Sequence, residues 1–290
     1  MKKLIRMIHI QRALLVLFLS VSTFAFAQPG SEIFVFDLSS DRSLTNPRNV
    51  TNHPGYDNQP SFDHKGKLYY SSFNAEGRSD LKVYDFKKKN STSLTTTSER
   101  EYSPTLTPDK KFISCIIQRD NNAQDLGKYP LKGGSPTILI ADLIVGYHAW
   151  IDPQRVMIFV LGDPNTLQVY NVQTKERKII AERVGRSLHK IPGQQAMSFV
   201  SKANDQWEIM RWDILTGTVT SLGKTLPARE DMAWTPDGHM IMSDGSSIYS
   251  RKPEQADWLP LSITGKEVLK GVTRLAVNAK GNQLAVVVAE

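Results

Sequence analysis

Two histidines, His148 and His189, are the first candidates for chemistry in this chain. They occupy nearby points of two copies of a repeated strand pattern. Imidazole binds Zn²⁺ and exchanges protons near neutral pH, but two histidines alone make a poor metal site. We therefore expect a packing role for His189 and assign no metal and no cofactor. His148 lies closer to where a ligand would enter, so it stays among the candidate binding residues.

The single cysteine, Cys115, lies within Phe112–Ile117, an apolar run typical of a buried strand. A catalytic thiol needs a neighbouring cation or a helix N-terminus to lower its pKa, and this apolar segment supplies neither. We expect a buried structural cysteine. One cysteine also excludes a disulfide scaffold and a cysteine-based zinc cluster.

Catalytic motifs with recognisable spacing are missing from the sequence. It contains no Gly-x-Ser-x-Gly nucleophile turn, no His-Glu-x-x-His zinc motif, no acidic calcium loop and no phosphate-binding Gly-x-x-x-x-Gly-Lys loop. We also expect no separate hydrolase domain after Glu290. We predict no catalytic residues and no hydrolase activity.

Polar side chains recur at one position of a pattern that repeats every 39 to 45 residues. Repeated units can deliver their side chains to one opening, so we expect a ligand-binding ring. Two arginines beside two acids suit a zwitterionic or mixed-charge ligand, since guanidinium holds carboxylates bidentately. The alternative is a solvated ring whose charges balance one another. The candidate residues are Gln59, Tyr102, Tyr147, His148, Arg186, Glu230, Asp231 and Arg274.

Six copies of one unit must position these residues. Each copy has a small residue, a large residue, a turn and then an apolar strand, as in DMAWTPDGHMIMSD from Asp231. The repeat length lies in the range of four-stranded propeller blades. The large-residue positions are Phe62, Leu106, Trp150, His189, Trp234 and Val277.

Each unit is typical of β-structure. Thr235-Pro236-Asp237-Gly238 is a strong turn signal, because Pro presets φ and Gly accepts a positive φ. A third strand then ends in an aromatic residue and an Asp or Asn, as in Val83-Tyr84-Asp85. No segment after residue 30 has a competing helical period.

The two ends of the chain complete the count of strands. The sixth unit has only two strands before Glu290, while Glu32–Asp37 resembles a third strand and Asn49–Thr51 a fourth. We expect residues 32–52 to finish the last blade beside residues 273–289, which removes an exposed sheet edge. The fold class is therefore all-β: a single six-bladed β-propeller, its ring closed by N-terminal strands.

The Trp234-Thr235-Pro236-Asp237-Gly238 segment resembles the repeats of the TolB family, which have a Ser/Thr-Pro-Asp-Gly turn before an apolar strand. Thr107-Pro108-Asp109 is a second, weaker copy. The resemblance to these WD40-like (PD40) propellers covers most of residues 32–290. It implies a propeller of an exported bacterial protein. TolB itself has a further α/β domain before its propeller, which we do not expect here.

The N-terminus predicts export. A basic head precedes the apolar run Ala13–Phe24, and Ala25-Phe26-Ala27 suits signal peptidase. We expect a signal peptide over residues 1–27, a propeller over residues 28–290, and a periplasmic or secreted location. The alternative is an uncleaved membrane anchor. Four of the 36 basic side chains and none of the 29 acidic ones lie in residues 1–27, so the net charge of +7 falls to +3.

Three functions fit these patterns. The first is a non-enzymatic binding or scaffold module that takes a protein or a small polar ligand at the channel mouth. The second is a lyase- or lactonase-type propeller enzyme with a metal near His148, and the third is a structural subunit with exposed outer aromatics such as Trp258. For the first function we expect an envelope protein or cell-wall partner, no nucleic acid, no stable membrane insertion after cleavage, and a monomer when alone.

Overall fold

The computed structural model describes residues 30–290 of the chain. The predicted signal peptide lies outside the described residues. All six sheets have four antiparallel strands, and there is no α-helix among these residues, only one 3₁₀ turn at Lys266–Val268. The prediction of an all-β, six-bladed propeller is confirmed.

The blades follow one another in chain order, and each is given from its innermost to its outermost strand. Blade 1 has β3 (Asp57–Phe62), β4 (Leu68–Phe73), β5 (Ser79–Asp85) and β6 (Asn90–Ser93); blade 2 has β7 (Arg100–Leu106), β8 (Phe112–Gln118), β9 (Gln124–Pro130) and β10 (Thr137–Ile140); blade 3 has β11 (Val145–Trp150), β12 (Arg155–Val160), β13 (Thr166–Asn171) and β14 (Arg177–Glu182); blade 4 has β15 (His189–Lys190), β16 (Ala196–Ser201), β17 (Glu208–Asp213) and β18 (Val219–Lys224); blade 5 has β19 (Met232–Trp234), β20 (Met240–Ser243), β21 (Ile248–Arg251) and β22 (Leu259–Pro260); blade 6 has β23 (Arg274–Val277), β24 (Gln283–Ala289), β1 (Ser31–Leu38) and β2 (Leu44–Asn49).

Chain ends meet in blade 6, where β1 pairs with β24 from Ser31 opposite Ala289 to Asp37 opposite Gln283. This confirms the expected closure of the ring. The fourth strand is Leu44–Asn49, so the expectation that Asn49–Thr51 forms it is wrong. Pro47 is tolerated within this strand because it lies at the outer edge of the sheet.

In blades 2 and 5, a threonine side chain stabilises the turn after the innermost strand. In blade 5 the hydroxyl of Thr235 accepts a hydrogen bond from the backbone N–H of His239 at 2.9 Å, and Gly238 has a φ of 85°. In blade 2 the hydroxyl of Thr107 accepts from the N–H of Phe112 at 3.2 Å. These turns reverse the chain direction, so that β8 and β20 pair antiparallel with the innermost strands β7 and β19.

Neighbouring blades are joined by buried side chains. Trp150 donates its indole N–H to Ser114 of the preceding blade at 2.9 Å, and Trp234 does the same to Ser198. Trp258, expected to be exposed, is half-buried. Its indole N–H donates to the carbonyl of Lys224 and its ring lies 5.0 Å from the guanidinium of Arg251.

No helix in the described part of the chain has the length and hydropathy needed to span a bilayer.

Candidate functional site

The space along the propeller axis is divided into two cavities. The first, which we call the funnel, has a volume of about 570 Å³ and opens where the innermost strands begin. The second, which we call the bore, has a volume of about 630 Å³ and extends past the ends of the same strands. Four of the sequence-predicted residues line both cavities and therefore lie between them: Gln59, Tyr147, Arg186 and Arg274.

One hydrogen-bonded cluster, which we call the arginine bridge, separates the funnel from the bore. Arg186 binds Asp231 through two nitrogens, with Nε–Oδ1 at 3.0 Å and Nη2–Oδ2 at 2.6 Å. Arg274 donates from Nη1 to Asp231 Oδ1 at 2.5 Å and from Nη2 to the Tyr147 hydroxyl at 3.2 Å. The sequence alignment therefore brought together four residues that touch one another.

The arginine bridge crosses the central axis. Tyr147 belongs to blade 3 and Arg274 to blade 6, so they come from opposite sides of a six-bladed ring. The guanidinium of Arg274 also lies 5.2 Å from the centre of the Tyr147 ring. Phe159 supports that ring edge-on at 5.7 Å. Residues from four consecutive blades, 3 to 6, thus form the arginine bridge.

Electrostatically, the bridge carries one excess positive charge. Burial alone would raise the pKa of Asp231, but the two arginines outweigh burial and lower the pKa below its ordinary value. The pKa of Arg186 is raised for the reciprocal reason, although burial opposes it. With Asp231 ionised and both arginines charged, the cluster attracts an anion.

Gln59 and Ser103, which also line the axial cavities beside the arginine bridge, have an unusual backbone conformation. Both precede a proline and have positive φ values, 57° and 55°, which are uncommon for residues other than glycine. The side-chain carbonyl of Gln59 accepts from the N–H of Ser103 at 2.7 Å and from the hydroxyl of Ser71 at 3.1 Å. A bulge in each innermost strand therefore turns backbone and side chain toward the axis.

The funnel wall contains residues that the sequence analysis did not single out. Tyr56 joins the predicted Tyr102 and Tyr147, and the side chains of Gln118 and Gln124 lie beside each other at the ends of β8 and β9. Tyr56 directly precedes an innermost strand, and this position in the sequence could have identified it as a candidate funnel residue. The two glutamines come from a hairpin that the repeat alignment did not cover.

Glu230 does not line either cavity and lies instead in a groove of about 130 Å³ beside Trp207. Its carboxylate accepts from the backbone N–H of Arg186 at 2.9 Å. It also lies 3.8 Å from Nε of Arg186 and 3.5 Å from the ammonium of Lys202. It can orient the start of the blade 4 strand, but it does not reach the funnel.

His148 lies in the bore wall and forms a contact that superficially resembles a catalytic pair. Its Nε2 is 2.7 Å from the hydroxyl oxygen of Ser114. That hydroxyl also lies 3.0 Å from the carbonyl of Thr105, so in the tautomer protonated at Nε2 His148 donates to Ser114 and the serine donates to Thr105. Ser114 is also fully buried. The pair is therefore a packing contact between blades.

Burial keeps both predicted histidines neutral. It lowers the pKa of His148 to about 3 and that of His189 to about 4. His189 contacts the hydroxyl of Ser187 at 2.9 Å within its own blade. Within residues 30–290, no group of three or more His, Cys, Asp or Glu side chains is placed to hold a metal ion. Cys115 is buried, as expected, and burial raises the pKa of its thiol.

Comparisons with known proteins extend the description of the fold. No family model matches the chain, and no curated protein matches its sequence. Among solved structures, a putative TolB from Agrobacterium tumefaciens is similar, with a TM-score of 0.70 and 15% identity. The match covers 91% of this chain and 99% of the Agrobacterium chain. TolB from Acinetobacter baumannii matches 89% of this chain with a TM-score of 0.56 and 13% identity, and the match spans 63% of that protein.

A nidogen/laminin complex structure is similar over 87% of this chain and 83% of its own, with a TM-score of 0.56 and 11% identity. Identities this low show a shared fold and leave the function to be argued from the site. The chain has a TolB-like β-propeller fold, as the repeat motif led us to expect.

Proposed function

We propose that this protein is an exported, non-enzymatic binding module of the cell envelope that takes its ligand or partner at the funnel. The observation that carries the proposal is the arginine bridge, which forms the floor of a cavity large enough for a ligand. Cavities of 300–1,000 Å³ with a few convergent polar groups are the usual form of small-molecule sites. The TolB-like fold supports a binding role, and the N-terminal sequence pattern supports export.

Rigid placement favours binding at this floor. The side chains come from strands or strand starts of four blades and are held by mutual hydrogen bonds. A ligand would meet groups already in position, so little side-chain entropy is left to lose on binding. The same property suits a partner's exposed segment as well as a small molecule.

A second candidate, the structural subunit, has its own supporting observation. Apolar side chains are exposed on outer strands and hairpins: Leu215 is 81% exposed, Ile179 56% and Leu259 54%. Such side chains occur singly on most protein surfaces, so this observation carries less weight than the funnel.

Capture from an envelope extract tests the proposed function. Wild-type protein, Arg274→Gln and the control Arg177→Gln are immobilised at equal density. Arg177 pairs with Asp142 on an outer strand, with 48% of its side chain exposed. We expect Arg177→Gln to capture the same partners as the wild type. Arg274→Gln should bind them about tenfold more weakly, because a charged hydrogen bond contributes ~1.5 kcal/mol or more. Equal capture by all three proteins would contradict binding at the funnel.

A further inference from the structure

We infer that the funnel binds a short acidic saccharide, one or two sugar residues with a single carboxylate held by Arg186 and Arg274. The inference rests on the proposed function and names the class of ligand for the same cavity. Three properties of the funnel lead to it: the charge of its floor, the hydrogen-bonding groups of its wall, and its size.

The charge of the floor selects a carboxylate. Among the described residues that line the funnel, Arg186 and Arg274 are the only charged side chains, while Asp231 lines the bore on the other side of the bridge. Nη1 of Arg186 and Nε of Arg274 have no hydrogen-bond partner within residues 30–290, so donors remain for a ligand. Asp231 and Glu230 offset two of the three positive charges of Arg186, Arg274 and Lys202, and the remaining charge of +1 matches a monoanion better than a phosphate dianion.

The wall offers hydrogen bonds of the kind that hydroxyl groups need. Carboxamide groups both donate and accept, as sugar hydroxyls do, and phenol hydroxyls can serve either role. Tyrosine adds an apolar ring against which the C–H face of a sugar can pack. These groups are Tyr56, Asn58, Gln59, Tyr102, Gln118, Gln124 and Tyr147.

Size and polarity argue against other anions. Leu161, Val288 and Ala289 are the larger apolar contributors to the described funnel wall, which is too little to bury the chain of a fatty acid. A volume of about 570 Å³ suits a ligand of one or two rings. A folded acidic protein surface would not enter a cavity of this size.

Titration calorimetry with hexuronates tests the inference. The probes are glucuronate, galacturonate and mannuronate, each paired with its neutral hexose, and glucose 6-phosphate serves as the dianion. We expect saturable binding of at least one hexuronate, with its neutral counterpart at least tenfold weaker. Arg274→Gln should weaken hexuronate binding about tenfold, while Arg177→Gln leaves it unchanged.

Variants of the wall separate sugar recognition from simple charge attraction. Tyr102→Phe and Gln118→Ala should each lower the affinity for the hexuronate three- to tenfold, because each removes a side-chain group that hydrogen-bonds a sugar hydroxyl. Gln173→Ala, on an exposed turn, is the matched control and should have no effect. Thermal melting of every variant checks that the fold is kept.

Each other outcome overturns the inference in a recognisable way. Equal binding of neutral hexoses would refute the carboxylate assignment, and tighter binding of glucose 6-phosphate would refute the monoanion. If no hexuronate binds while capture from the extract still depends on Arg274, the ligand class is wrong and the proposed function stands. If neither binding nor Arg274-dependent capture occurs, both fail.

Discussion

At the scale of single residues, one carboxylate holds the candidate site together. Asp231 binds two arginines that belong to the blades on either side of it, and only 17% of its side chain is exposed. Without this carboxylate the two guanidinium groups would face each other in a poorly solvated place. Asp231 therefore serves both the floor of the funnel and the contact between blades 4, 5 and 6.

Replacing Asp231 tests this role against a close match on the surface. Asp120 also binds two arginines, Arg78 and Arg100, but is 70% exposed. We expect Asp231→Asn to lower the free energy of unfolding by about 3 kcal/mol, because it leaves buried charge uncompensated. Asp120→Asn should cost less than about 1 kcal/mol. Urea denaturation of both variants measures the difference, and equal losses would show that the bridge is no more than a surface ion pair.

His148 gives a second residue-level prediction, on the pH dependence of stability. Its pKa of about 3 in the folded protein lies below the ordinary value of 6.5, so the unfolded chain binds the proton more readily. The contribution of neutral His148 is complete above pH 6.5 and is lost as the pH falls toward 3. His189, with a folded pKa of about 4, acts in the same direction.

His148→Gln removes one titrating group and keeps an amide that can donate to Ser114. Between pH 7 and pH 5 the wild type should lose roughly 2 kcal/mol more unfolding free energy than the variant, at about 1.4 kcal/mol per pKa unit. Urea denaturation at the two pH values measures it. The exposed His64 supplies the control, His64→Gln, which should keep the pH dependence of the wild type. Parallel losses in His148→Gln and wild type would contradict a neutral, buried His148.

At the scale of elements, blade closure depends on β1. Ile33, Val35 and Phe36 are fully buried, and Phe36 packs with residues of blade 5 such as Ile241 and Ile248. β1 thus contributes core side chains as well as the hydrogen bonds that join the two chain ends.

We expect Phe36→Ala to lower the free energy of unfolding by about 3–5 kcal/mol, since it leaves a cavity in the core. Arg48→Ala is the control in the adjacent outer strand. Arg48 forms a half-exposed ion pair with Asp37, so its loss should cost less than about 1 kcal/mol. Calorimetric melting compares the two. A Phe36→Ala protein as stable as Arg48→Ala would show that β1 is a dispensable addition to the ring.

Much of this fold could be predicted from sequence, because the turn chemistry repeats. Phe62, Leu106, Trp150, Trp234 and Val277 are each the last residue of an innermost strand, as their alignment implied. His189 instead begins a strand of only two residues. The position of an edge strand is less constrained, since an edge strand pairs on one side only, and the fourth strand of blade 6 was misplaced for that reason.

Prediction of the candidate site was less complete than prediction of the fold. Alignment within the innermost strands found the four residues of the bridge, because equivalent positions face one axis. It could not show that Glu230, one residue before Asp231, turns away into a groove between blades. Tyr56, Gln118 and Gln124 were missed because the aligned segments did not include them: Tyr56 precedes its innermost strand, and the two glutamines lie at the ends of β8 and β9.

At the scale of the whole molecule, the propeller has two different ends. The funnel end has arginine, tyrosine and amide side chains, whereas the bore is lined toward its far end by Phe62, Leu106, Trp150 and Trp234. The arginine bridge crosses the axis between them. We therefore expect ligand binding at the funnel end.

Site-specific photo-cross-linking tests binding at the funnel most directly. A photoreactive residue is placed either at Leu161, which lines the funnel and is 43% exposed, or at Leu215, which is 81% exposed on an outer hairpin. Each protein is irradiated in envelope extract, and the adducts are identified by mass spectrometry. The proposed function predicts an adduct at Leu161 that Arg274→Gln abolishes, and none at Leu215. An adduct at Leu215 with none at Leu161 would contradict it and favour a structural subunit that binds through its outer face.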